Sequence, residues 1–312
     1  MHIIIYEMII FSTLLIRILP LYLLIALGFI AGKKLNAKKE TIASVLIYIV
    51  TPVVIFNSIL NTKIKIELLL LPVIFFICSS VLCMIFYFIG GKLFKDNTKN
   101  ILAMSAGTAN TGYFGIPVAI ELFGKESLGI IVLCIVGFTV FENSLGFFIT
   151  AKGNHTTKEA IERVFKLPTI YAFLAGFLLN LLRINFGENY LTFTNHFLGA
   201  YTILGMMLIG LGLSDIKGFK FDVKFILASF FARFIIWPLV ILSFVFIDNN
   251  FMHLFNEAVH KAMLLMSIVP LAANLVAFAT ELKAQPEKAA LAVFLSTIFA
   301  LFYIPFMVSV LF

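Results

Sequence analysis

The chain has 312 residues, 62% of them hydrophobic and only 12% charged, with a mean hydropathy of +1.08. Soluble domains carry roughly 25% charged residues, so a water-soluble enzyme or binding domain is excluded and a polytopic protein of the lipid bilayer is expected. The net charge of +7 does not argue for nucleic acid as a partner, because the basic residues sit in short loops between apolar stretches, where they set topology.

Bilayer-length windows predict an all-α protein with ten spans, near 12–32, 42–60, 67–91, 101–122, 127–150, 167–182, 196–214, 224–247, 258–281 and 288–311. The first apolar stretch, which begins before that span, carries Glu7 and Arg17, lacks a small-residue cleavage site and runs on to Ala31, so it does not read as a cleaved signal. In span 2, Pro52 and Asn57 are either kink and packing residues or part of the lining of a path. Cys78, Cys83 and Cys134 lie within spans and read as small core residues. A single Trp leaves no strong indole belt at the interfaces.

Span 4 contains the segment ANTGYFGIP, residues 109–117. Pro117 removes an amide donor and clashes with the preceding turn, while Gly107, Gly112 and Gly115 make non-helical backbone cheap. Backbone opened at bilayer depth survives only where it is buried in protein or faces a watery cavity. A broken helix presenting Asn110 and Thr111 at mid-membrane is therefore a candidate substrate site. A proline kink with glycines serving close helix packing would use the same residues.

The loops after spans 1, 3, 5, 7 and 9 hold sixteen basic residues, among them Lys33, Lys34, Lys38, Lys39, Lys92, Lys217, Lys220 and Lys288. The opposite side holds six: Arg17, Lys63, Lys65, Lys125, Arg183 and Lys261. The positive-inside rule puts the first set in the cytoplasm and both termini outside the cytoplasmic membrane. The most polar loop, 151–166, separates a first five-span half (1–150) from a second (167–312). Because five is odd, the second half must enter from the other side, as in an inverted repeat. Two sequence echoes agree with a repeat. Pro20 is followed by Gly28-Phe29 as Pro168 is by Gly176-Phe177, and Ala119-Ile120-Glu121-Leu122 closes span 4 as Ala279-Thr280-Glu281-Leu282 closes span 9.

A duplicated half predicts a second interruption, and span 9 supplies Pro270 and Asn274 in an otherwise apolar run. Where the two breaks cross, unpaired amides at helix N-termini, each with about half a positive charge, attract an anion, typically a carboxylate. Asn110 and Asn274 offer hydrogen bonds without the cost of burying a charge. Both asparagines could also serve only to satisfy backbone freed by the prolines.

The ANTGYFGIP segment, the 5+5 layout and the paired prolines resemble the auxin efflux carrier family, which includes bacterial malate- and malonate-permease-like carriers and the PIN-type exporters of plants. The resemblance implies a scaffold domain from spans 1, 2, 6 and 7, and a mobile transport domain from spans 3–5 and 8–10. It also implies substrate at the crossing of spans 4 and 9, elevator-like motion, and homodimers formed through the scaffold. Asn110 and Pro117 match the family's span-4 asparagine and proline, and Pro270 and Asn274 match their span-9 counterparts. Plant exporters have a long hydrophilic central loop and this chain a short one, which points to a prokaryotic-type member.

Glu142 in span 5 and Arg233 in span 8 are the most deeply placed ionisable residues. Such groups are costly unless paired, neutralised or facing water. Glu142 reads either as a proton-coupling carboxylate or as structural, in which case it bridges to Arg233 or Arg233 reaches the cytoplasmic interface on its own. The five histidines form no ligand set with Cys or carboxylates, so no metal is expected. No phosphate-cradling Gly-Lys-Ser/Thr loop is present, so no cofactor or ATP is expected either. The spans assemble no nucleophile–base pair that would make an enzyme. The sequence favours a secondary carrier for a small organic anion; a ligand sensor on the same fold is the alternative.

Overall fold

The computed structural model describes residues 2–61, 68–124, 127–184, 186–214 and 221–312, and the described residues are helical without strands. Lys63, Lys65, Lys125, Asp215, Lys217 and Lys220 lie outside them. The helices are α1 (His2–Leu35), α2 (Lys39–Asn61), α3 (Leu70–Leu93), α4 (Thr98–Gly107), α5 (Ile116–Phe123), α6 (Gly129–Ala151) and α7 (Thr157–Phe165). They continue with α8 (Pro168–Leu181), α9 (Glu188–Ser214), α10 (Val223–Met252), α11 (Glu257–Ile268), α12 (Asn274–Glu281) and α13 (Pro286–Leu311). Six described helices are long and apolar enough to cross a membrane, or seven if α7 and α8, bent by 45°, count as one span.

Several helices widen into a π turn, and the sequence shows why. The turns Leu46–Val50, Thr111–Gly115 and Ala232–Ile236 each end two residues before a proline, at Pro52, Pro117 and Pro238. Proline lacks the amide and its ring presses on the carbonyl one turn back, and a wider turn makes room for that clash. A fourth π turn, Glu142–Gly146, has no such proline and carries Glu142.

Two packing groups emerge. In one, α1 lies along α9 and α8 along α2. Glycines permit both approaches: a Cβ on Gly28 would come within 2.1 Å of the Met207 carbonyl oxygen, one on Gly210 within 2.0 Å of that of Ile25, and one on Gly176 within 2.8 Å of that of Phe56. In the other group, α3 packs on α4 and α6, and α10 on α11. Phe75, Phe138 and Trp237 fill its centre, with ring centroids 5.0–6.2 Å apart. Aromatic contact at this spacing adds to the burial of each ring.

The loops that the charge count groups together meet at one end of the molecule. Lys39 pairs with Glu287, Gln285 donates to Asn97, Asn154 donates to the Leu282 and Lys283 carbonyls, and Lys288 reaches Thr98 and Asp222. This is the basic end.

Candidate functional site

Both predicted interruptions are real breaks, and they touch. The first helix stops at Gly107 and restarts through the π turn Thr111–Gly115, with Pro117 near the start of α5. The second stops at Ile268 and restarts at Asn274. Between them the backbone amide of Asn110 donates to the carbonyl of Pro270 at 2.8 Å, so the freed groups of each break partly satisfy the other.

Each broken helix leaves C-terminal carbonyls to be satisfied in apolar surroundings, and α10 supplies the donors. Arg233 donates from Nε to Val269 O at 2.6 Å and from Nη2 to Met266 O at 2.5 Å. Trp237 donates from Nε1 to Ala106 O at 2.7 Å. Both side chains are fully buried, and the guanidinium sits 5.1 Å above the indole. A cation at the carbonyl end of a helix is favourable because the macrodipole is negative there.

The Glu142–Arg233 ion pair, one alternative the sequence offers, does not form. Arg233 is held by the α11 carbonyls, whereas Glu142 accepts from Thr108 Oγ1 on one oxygen and from Asn274 Nδ2 at 2.8 Å on the other. Asn274 in turn meets the Tyr201 hydroxyl, 3.1 Å from Nδ2 and 3.3 Å from Oδ1. The chain Thr108–Glu142–Asn274–Tyr201 thus joins the first break, α6, the second break and α9.

Glu142, Asn274 and Tyr201 border a cleft of about 830 Å3, its open mouth included. Asn110, Thr111, Gly112, Glu142 and Asn274 all line it, with Ala272 and Ala273 completing the start of α12. The remaining wall is largely aliphatic, from α2 and α6. Asn110 is 2% exposed, and neither its Oδ1 nor its Nδ2 has a hydrogen-bond partner. Leaving both amide atoms of a buried asparagine unsatisfied is expensive unless something else meets them. Among the described residues lining the cleft, Glu142 and Tyr201 are the titratable ones and none is basic.

Other expected residues fall elsewhere. Gly115 packs against Met266 across the crossing, where a Cβ would come 3.0 Å from Met266 Cε, and Pro270 contributes its carbonyl to Asn110. Neither lines the cleft. Pro52 and Asn57 do not line it either; Val54, Ile55, Ser58 and Ile59 do, because the face of α2 turned to the crossing carries those residues. Sequence reasoning missed Thr108, Tyr201 and Trp237. Thr108 stood next to the conspicuous segment, but a lone Tyr or Trp in an apolar span reads as packing.

The family model described as "Membrane transport protein" matches residues 13–162 and 153–308. An uncharacterized transporter of Methanocaldococcus jannaschii is 30% identical over 235 residues, 71% of this chain and 75% of that protein. An uncharacterized transporter of Methanothermobacter thermautotrophicus is 28% identical over 203 residues, 63% of this chain and 67% of its own. Matched through both halves, this multi-pass membrane chain belongs to the membrane transport protein family, the auxin efflux carrier family that its span-4 segment resembles.

Proposed function

We propose that the protein is a secondary carrier that moves a small organic anion, a carboxylate, across the cytoplasmic membrane by elevator-like alternating access. The observation that carries this reading is the orphaned, buried amide of Asn110 at the point where two broken helices meet over a cleft. A carboxylate oxygen accepts from an asparagine amide, and the N-terminal turns beginning at Thr111 and Asn274 add dipole ends of favourable sign. With no basic residue among the described lining, a bound carboxylate would face Glu142 as a second anion. Like charges sharing one site repel, and a proton on one of them relieves it. Substrate and a proton on Glu142 therefore occupy the cleft together.

The wider architecture in this proposal is ten spans in a 5+5 inverted repeat, with both termini outside and the loop 151–166 cytoplasmic. The equivalent glycines support it: Gly28 admits α9 against α1, and Gly176 admits α2 against α8. The scaffold is α1, α2, α8 and α9, through which copies pair as homodimers; the transport domain is α3–α6 with α10–α13. Nothing in this scheme calls for an enzymatic step.

Reconstitution tests it. Saturable flux of labelled mono- or dicarboxylates into proteoliposomes is expected, with the pH dependence flattened by Glu142→Gln. Binding without flux favours the sensor. Flux with an unaltered pH profile in Glu142→Gln removes that residue from coupling.

A further inference from the structure

The cleft lies mainly toward one end of the molecule. Its lining on α2 begins at Val54 and ends at Ile59, on α6 it begins at Val132, and on α9 it includes Leu198 and Tyr201. On α2 and α9 this is the part away from the basic end, and on α6 the lining starts there and runs on to Asn143.

Toward the basic end the same two packing groups are joined instead. Glu281, the last residue of α12, accepts from Ser44 Oγ at 3.0 Å on one carboxylate oxygen and from Tyr48 Oη at 3.1 Å on the other. Lys39, at the start of α2 and 5% exposed, pairs with Glu287 of α13 at 2.9 Å. Close by, a Cβ on Gly212 of α9 would come 2.6 Å from the Ala290 Cβ of α13, so the two helices touch.

We infer that Lys39, Ser44 and Tyr48 on α2, with Glu281 and Glu287 facing them, form a gate that shuts the crossing toward the basic end and must part in each transport cycle. The chemistry suits a contact made and broken repeatedly. Tyr48 is 38% exposed and the Glu287 side chain 44% exposed, and hydrogen bonds and ion pairs at such positions exchange for water at little net cost. A seal of large apolar side chains would instead expose its full area to water on opening. The donors all lie on one helix and both acceptors on the facing pair, so separating α2 from α12 and α13 breaks these three contacts together. The need for opening in transport rests on the carrier reading; the opening itself does not.

Spin labels on Glu40→Cys and Lys283→Cys, both exposed beside the gate, test this in full-length protein with its three native cysteines replaced by alanine. In liposomes a short distance is expected to dominate. Glu281→Gln with Glu287→Gln should raise a longer-distance population roughly tenfold, and Lys39→Ala should do so from the opposite helix. A cleavable bifunctional thiol reagent joining the same two cysteines should lower carboxylate flux about tenfold, with recovery on reduction. One unchanged distance in all variants, or flux indifferent to the cross-link, overturns the gate. A distance that lengthens in a protein moving no carboxylate keeps the gate and sinks the carrier reading.

Discussion

The two broken helices start from the same ingredients, an asparagine and a proline in an apolar run, and finish with opposite wiring. In the first, Asn110 precedes Pro117, the break lies at the asparagine, and its side chain has no protein partner. In the second, Pro270 precedes Asn274, the break lies at the proline, and the asparagine bridges Glu142 and Tyr201. The carbonyl ends differ too: a neutral indole meets the first and a guanidinium the second. One asparagine is therefore bound within the protein, while the other keeps both amide atoms in reserve, though Arg233 Nη1 at the second break also has no partner. Reserve of that kind is what a binding site needs and what a structural joint avoids.

Substitutions can break this contrast, and they rank by how much protein structure each group supports. Arg233→Met should be the most damaging, leaving the buried Met266 and Val269 carbonyls without donors at a cost of about 3 kcal/mol. Thermal unfolding in detergent should show the lowest midpoint of the series. Asn274→Ala removes a donor from buried Glu142 and should cost about 2 kcal/mol, with flux falling as well. Trp237→Phe keeps the ring but loses the bond to Ala106, for about 1 kcal/mol and little change in flux. Asn110→Ala sharpens the contrast most. Removing an amide with no protein partner should leave stability within about 0.5 kcal/mol of the parent, while flux falls at least tenfold by about 1.4 kcal/mol of lost substrate contact. Equal destabilisation by the two asparagine variants would show that both are structural joints.

Much of the architecture was legible because it is written locally. Pro117 and Pro270 flagged the two interruptions, and the prolines also account for three of the π turns. The loops grouped by their basic residues meet at one end of the molecule, as expected if such residues mark loops that share a side. The site was legible only as a neighbourhood. Asn110, Thr111, Gly112 and Asn274 line the cleft, but Gly115 and Pro270 serve the crossing itself. Glu142 and Arg233 were both conspicuous, but of the readings offered for them the ion pair does not form, because depth in the membrane says nothing about which face of a helix meets which neighbour.

From its residues alone this protein was bound to be a helical membrane chain interrupted in two of its apolar runs, since hydropathy, proline and glycine act within a turn or two of where they stand. Tertiary structure decided the partners. Glu142 finds Asn274 across 132 positions of sequence and Trp237 finds the Ala106 carbonyl across 131. Contacts at that separation depend on how whole helices rotate and pack against one another, which no local pattern encodes.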